Sequence, residues 1–332
     1  YQRTTMHLTE VYQFLSNGTS RLDLNEEKVK DYQKKFNIKS LKRKSDYLEY
    51  IEVITTDGII LKYYEDGLYT LQINEKDFKI DVKKLNKYYE EIFKPAIDYL
   101  FSLGAPTPKI LSNLKEIHPI VISEISPSWK LKFPEQKEYG KIYSETSSKD
   151  VKVIKTENYI LILSSKKNQK ELEKLIEMQI FFREFKTQLH KYLNIHRQIW
   201  EWISKIKEKK EIRGKEVSKY KSELESYQKT ISLIGSRINQ MLPYAKTRAS
   251  FSKQLGLENE LIVHFQYKYE DLFNSLEYIK EIWKMTAEYV NSAIQVMRDI
   301  QAKTSDKSLK SIQLLASIAV ISGILKYLYA ES

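Results

Sequence analysis

Short runs of β-branched and aromatic residues alternate with turn signals between residues 47 and 163. Such runs are typical of β-strands, and the Asp-Gly pairs at 57–58 and 66–67 are typical of tight hairpins. An amphipathic pattern at 85–103 predicts a helix with a kink at Pro95. The predicted strands are 47–55, 59–64, 68–73, 78–82, 117–125, 139–144, 151–154 and 159–163. This part of the chain is therefore expected to be an α+β domain with an antiparallel or mixed sheet.

After Ser165 the pattern changes to a helical period, with predicted helices at 167–212 and 215–255 on either side of Gly214. Residues 258–328 contain no proline and no glycine before Gly323. Their apolar positions recur at steps of three and four, as in a heptad repeat. These positions are Leu272, Leu276, Ile279, Trp283, Ala287, Val290, Ile294 and Met297. One interpretation is an antiparallel helical bundle. The other is a long stalk helix that self-associates as a coiled coil, and it is favoured because a uniform stripe needs partners along its length.

Composition excludes several classes of function. The chain has no cysteine, which excludes a disulfide scaffold, a thiolate metal site and a cysteine nucleophile. It carries no glycine-rich phosphate loop and no hydrolase or metalloprotease motif, and its five histidines are scattered. We therefore expect no enzyme and no resident cofactor. The net charge of +11 is spread thinly and comes with no nucleic-acid-binding signature, so no nucleic-acid partner is expected. Lysine and arginine are most concentrated at 205–221. This stretch is interpreted as a solvated hairpin tip or as a face that binds an anion or a partner.

The most apolar stretch is Ser311–Leu325, bracketed by Lys310 and Lys326. It is shorter than the ~20 residues of an ordinary membrane span, so its length alone also fits a buried core helix. Lysines at 303, 307 and 310 precede it, as on a cytoplasmic flank. Its scattered serine, glutamine and glycine residues would suit a helix that faces a pore or other helices. These two features favour a membrane-spanning helix.

The order of these elements resembles the CorA-type magnesium transporters. Residues 277–302 look like the stalk of that family, and 304–329 look like its first transmembrane helix. The resemblance implies a cytoplasmic α/β domain at 1–165, a long helical hairpin at 166–256, and a stalk helix at 257–332 that runs into the transmembrane helix. It also implies a homopentamer in the cell membrane that passes Mg²⁺, Co²⁺ or another divalent cation, gated by stalk movement.

The chain departs from the family at its Tyr-Gly-Met-Asn signature. Tyr329 matches the tyrosine, but Ala330, Glu331 and Ser332 stand where the family has Gly-Met-Asn. The amide ring that meets the hydrated cation at the pore entrance is thus replaced, and the identity of the ion is left open. By the same register, Gln295 stands where the family has a pore carboxylate. Asp271 stands at its regulatory carboxylate, which makes it a predicted metal ligand.

The register also predicts a pore-facing line whose steps of three and four keep its members on one helix face. The predicted pore-lining residues are Asp306, Leu309, Ile312, Ala316, Val320, Gly323 and Tyr327. A ring of Asp306 carboxylates would attract cations, and Leu309 with Ile312 could gate the pore by dewetting. Alternatively, Asp306 pairs with neighbouring lysines and Asp271 belongs to a solvated face. The alternative function is a non-transporting helical scaffold or interaction protein, either soluble or docked on a membrane.

Overall fold

A computed structural model describes residues 8–74, 77–103, 119–126, 139–165, 169–207, 212 and 214–304. The chain divides into two compact units. The first unit is built from residues 1–186 and 243–271, and the second from 187–242 and 272–332.

The first unit begins with two helices and a four-stranded antiparallel meander of order β1-β2-β3-β4, followed by further helical segments. The elements are α1 (Leu8–Asn17), α2 (Glu26–Phe36), β1 (Ile38–Ser45), β2 (Glu49–Thr55), β3 (Ile60–Tyr64), β4 (Tyr69–Gln72), α3 (Phe78–Tyr88), a π-helical turn (Tyr89–Phe93) and α4 (Lys94–Leu103). The predicted hairpins are present, and Gly58 and Gly67 take the positive φ angles (82° and 85°) that such turns favour.

One face of the first sheet forms a hydrophobic core with the neighbouring helices. Alternate side chains of the strands point toward this core and are almost fully buried, among them Ile51 and Val53 of β2 and Leu61 of β3. Phe14 of α1 and Phe93 of the π-helical turn belong to the same cluster of buried side chains. The helices before and after the meander thus complete its hydrophobic core.

The prediction of a strand at 78–82 is wrong, because this segment forms the start of α3. Asp77 caps the helix, since its Oδ1 accepts a hydrogen bond from the backbone N–H of Ile80 at 3.0 Å. Further along, the π-helical turn lies directly before Lys94 and Pro95. A wider turn of this kind accommodates a proline that cannot donate a backbone hydrogen bond, so the irregularity expected at Pro95 takes this form.

The second sheet of the first unit is mixed, which is one of the two arrangements that the sequence left open. It consists of β5 (Val121–Ile125), β6 (Ile142–Ser147), β7 (Val151–Thr156) and β8 (Ile160–Ser164). The strand order is β5-β8-β7-β6, in which β5 and β8 are parallel and the other pairs are antiparallel. Every residue of β8 is buried, as expected for a central strand with both faces covered.

Four helices complete the described chain. They are α5 (Gln169–Lys207), α6 (Gly214–Gln254), α7 (Glu258–Phe265) and α8 (Tyr269–Thr304). The α+β class and the succession of an N-terminal sheet region by long helices are therefore confirmed. The helix predicted to run unbroken from 258 is interrupted, because Gln266 takes a left-handed conformation (φ 57°) that ends α7. None of the described helices is both long and apolar enough to cross a membrane, and the predicted transmembrane segment lies outside the described residues.

In the second unit, α5, α6 and α8 form an up-down-up bundle. Trp200 of α5 stacks on Tyr289 of α8, with ring centroids 4.3 Å apart. Gln228 of α6 donates a hydrogen bond to Asn291 of α8 at 2.7 Å. The apolar stripe of α8 is buried by this packing, apart from the half-buried Ala287. The stripe therefore has partners within its own chain and no longer argues by itself for self-association, which stays a prediction.

Candidate functional site

Asp271 is the only predicted site residue within the described part of the chain. It lies exposed in the first turn of α8, next to Glu270. Two carboxylates in the first turn are favourably placed relative to the helix dipole. The described residues contain no group of three or more histidine, aspartate or glutamate side chains that could hold a metal ion. The assignment of Asp271 as a metal ligand therefore stays a prediction.

All other predicted site residues lie outside the described residues. They are the pore-lining residues Asp306, Leu309, Ile312, Ala316, Val320, Gly323 and Tyr327, and the pore-entrance residues Tyr329, Ala330, Glu331 and Ser332. Their roles and mutual geometry stay predictions from the sequence.

The part of α8 in the second unit presents an acidic outer face. Glu277, Glu281, Glu288 and Asp299 are all exposed, and their spacing of 4, 7 and 11 residues keeps them on one side of the helix. Gln295 is exposed on the same side, and its Nε2 donates a hydrogen bond to Asp299 Oδ1 at 3.1 Å. We call these five residues the acidic face of α8; the exposed Lys284, seven residues after Glu277, lies on the same side and opposes part of their charge.

The acidic face is of interest because its last residue, Asp299, lies close in sequence to Asp306, where the predicted pore line begins. In the sequence, Asp306 follows Asp299 by seven residues. The buried stripe lies on the other side of α8, against α5 and α6. Helix α8 thus has one face packed against α5 and α6 and an opposite, exposed acidic face. The sequence analysis identified only the packed face.

Sequence reasoning also missed a buried charged cluster in the first unit. The Arg248 side chain is fully buried, and its Nε lies 2.5 Å from Oδ2 of the equally buried Asp66. Its Nη1 donates a hydrogen bond to the Tyr47 hydroxyl at 2.7 Å, and the guanidinium lies 4.6 Å from the centre of the Phe181 ring. Burial opposes the charge, but the Asp66 carboxylate more than offsets it and raises the pKa of Arg248 above its ordinary value.

Glu177 of α5 is the second buried charge of the first unit. It accepts hydrogen bonds from the Tyr64 hydroxyl at 2.6 Å and from Lys62 at 3.1 Å, and Lys174 lies at 3.1 Å. Burial opposes ionisation, but the two lysines hold the pKa of Glu177 below its usual value. With Arg248, this carboxylate ties the first sheet to α5 and α6. Apart from Lys174, the hydrogen-bonded partners are separated by 113 to 201 residues, so no local sequence pattern could have indicated them.

The half-buried His196 hydrogen-bonds to the buried Thr286 in the second unit. The Thr286 hydroxyl donates to the backbone carbonyl of Ile282 at 2.7 Å, so its oxygen accepts from His196 Nδ1 at 2.8 Å and from Trp200 Nε1 at 3.2 Å. Burial and the nearby Arg197 lower the pKa of His196 to about 4, so the ring is neutral at pH 7. In this arrangement His196 and Trp200 serve to pack α5 against α8.

Comparison of the chain with protein-family models, with curated proteins and with solved structures gave no match. The functional argument therefore depends on the residues and on the geometry of the two units.

Proposed function

We propose that the chain is a CorA-like membrane protein, an oligomeric channel or transporter for divalent cations of the Mg²⁺ or Co²⁺ type with a regulatory domain in the cytoplasm. The proposal includes the cell membrane as its location, a homopentamer as its assembly and the pore line that begins at Asp306. The replacement of Gly-Met-Asn by Ala330-Glu331-Ser332 leaves open which ion passes.

The observation that carries the proposal is the continuity of α8. This helix runs from Tyr269 to Thr304 without interruption, so it reaches the residue two positions before Asp306. A break around 301–306 would have separated the stalk from the pore segment, and the helix shows none as far as Thr304.

The acidic face of α8 gives a second line of support. Carboxylates in a symmetric ring concentrate cations at a pore mouth. If several copies of α8 turned this face toward a common axis, Glu281, Glu288 and Asp299 would form successive carboxylate rings on the approach to Asp306, with Lys284 between the first two. Oxygen ligands of this kind suit hard divalent cations.

The experiment is cation uptake into liposomes that contain the purified protein and a Mg²⁺-sensitive dye, repeated with Co²⁺. We expect dye-reported uptake driven by a negative internal potential, and an uptake rate at least tenfold lower for Asp306→Ala. The matched control is Asp31→Asn, since Asp31 is an exposed carboxylate of α2 that pairs with Lys35. Equal uptake by the Asp306→Ala variant, or no uptake by the natural protein, would overturn the proposal.

The second candidate is a non-transporting helical scaffold or interaction protein. One observation favours it, since the apolar stripe of α8 is buried within the chain itself and requires no second subunit. A protein that stays in the aqueous fraction after lysis without detergent, and that remains a monomer, would support this candidate against the channel.

A further inference from the structure

His264 of α7 is a buried histidine whose two ring nitrogens are both hydrogen-bonded. Its side chain is fully buried in the first unit. Nε2 lies 2.9 Å from Glu260 Oε2 on the same helix, and Nδ1 lies 2.8 Å from Thr146 Oγ1 on β6. Helix α7 packs against β6 and β7, so His264 joins the helix to the edge of the second sheet.

The partners determine which nitrogen carries the proton. An ionised carboxylate only accepts hydrogen bonds, so Nε2 of His264 donates to Glu260. Nδ1 of the neutral ring is then an acceptor, and the Thr146 hydroxyl donates to it. A second proton on Nδ1 would remove this acceptor and force the hydroxyl to reverse its role, while placing a charge in a fully buried position.

The charges around His264 act in opposite directions. Glu260 favours the protonated ring, whereas Lys155 of β7 disfavours it. Lys155 lies on the α7 side of β7, with its ammonium 5.0 Å from the centre of the Phe265 ring. The pair formed by Glu145 of β6 and Lys152 of β7 lies on the opposite face of the two strands, because neighbouring strand residues alternate between faces.

We propose that His264 is a pH-sensitive latch that holds α7 on β6 and β7 when neutral and releases the helix in mild acid. The proposal does not depend on transport by the protein. It assigns to this histidine a switching role within the first unit.

Proton linkage gives the size of the effect. Burial is the largest effect and outweighs the opposing effect of Glu260, and with a smaller contribution from Lys155 it lowers the pKa of His264 below its ordinary value of 6.5. In a detached α7 the ring is solvated and regains that ordinary pKa, so protons bind preferentially to the open form. Opening then becomes up to about tenfold more favourable for each pH unit below 6.5, until the pKa of the packed ring is reached. Above pH 6.5 the titration of His264 no longer favours opening.

The test is hydrogen exchange of the full chain, with protection factors corrected for the intrinsic pH dependence of exchange, between pH 5 and 7.5. We expect protection of the amides at 258–265 to fall several-fold below pH 6.5. The amides of α1 (Leu8–Asn17) serve as the internal reference and should stay constant. In His264→Gln the protection at 258–265 should not vary with pH, whether the variant holds α7 tightly or loosely.

Two further variants separate a latch from a merely structural contact. Lys155→Met keeps the packing of the side-chain stem but removes the positive charge, so acid should open α7 less than in the natural protein. Glu260→Gln removes the compensating carboxylate, so acid should open α7 more. Protection that is constant with pH in the natural protein, a pH dependence retained in His264→Gln, or a shift of both charge variants in the same direction would overturn the proposal.

Discussion

The buried pair of Arg248 and Asp66 gives the sharpest prediction about stability. Arg248→Met keeps a side chain of similar length but leaves the Asp66 carboxylate fully buried without its counter-charge. Removal of one partner of a buried ion pair costs about 3–5 kcal/mol. Since 1.36 kcal/mol corresponds to a factor of ten, the amides of β3 should lose at least about a hundredfold in hydrogen-exchange protection.

A double-mutant cycle isolates the interaction between the two charges. Asp66→Asn removes the charge but keeps an oxygen that can accept the hydrogen bond from the backbone N–H of Leu68. In the natural protein this bond is 3.0 Å long. Each single variant leaves an uncompensated polar group, whereas the double variant leaves neither charge. The double variant should therefore lose at least about 2 kcal/mol less than the sum of the two single losses.

The control for this prediction is an arginine-to-methionine change at an exposed pair. Arg43 lies 2.5 Å from Glu49, with both side chains about two-fifths exposed. Solvent screens such a pair, so Arg43→Met should cost no more than about 1 kcal/mol. If Arg248→Met cost no more than Arg43→Met, or if the two losses simply added, the buried cluster would not tie the first sheet to α6 as argued.

Three further predictions follow from other contacts. Glu177→Gln should lower the hydrogen-exchange protection of the β3 amides at pH 7. The difference from the natural protein should shrink as the pH falls below 4.5, because a carboxylate with a lowered pKa stabilises the fold only while it is ionised. A difference that does not change with pH would contradict this. Thr286→Val should destabilise the second unit by about 1–3 kcal/mol in urea unfolding followed by tryptophan fluorescence, since His196 then lacks its acceptor, whereas Thr286→Ser should cost less. Gly18→Ala should destabilise the first unit more than Gly58→Ala, measured by thermal unfolding. Both glycines have positive φ angles, but only an added Cβ at Gly18 meets another side chain, at 2.7 Å.

Local patterns predicted most of the sheet region. Seven of the eight predicted strands overlap a described strand, because alternation and Asp-Gly turns are properties of neighbouring residues. The prediction of a strand at 78–82 was wrong because it was based on the β-branched and aromatic residues of this segment and overlooked Asp77, which caps a helix. Helices α1 and α2 and strand β1 were not predicted, since their polar, mixed-charge sequences hide the few buried positions, such as Phe14 and Phe36.

The candidate sites show a different limit of sequence reasoning. The heptad-like stripe of α8 correctly predicted the buried residues, but a stripe does not reveal whether its partners come from the same chain or from another one. The cluster around Arg248 and the latch at His264 depend on hydrogen bonds between residues that are 118 to 201 positions apart. Such contacts follow from the tertiary fold and leave no periodic signal in the sequence.

The most direct test of the proposed channel is the mass of the purified protein in detergent, measured by light scattering together with a titration of thermal stability by Mg²⁺ and Co²⁺. The account predicts a protein that requires detergent, has the mass of five subunits, and is stabilised by millimolar divalent cation. A monomer or dimer that needs no detergent and whose thermal stability is unchanged by either metal would contradict it.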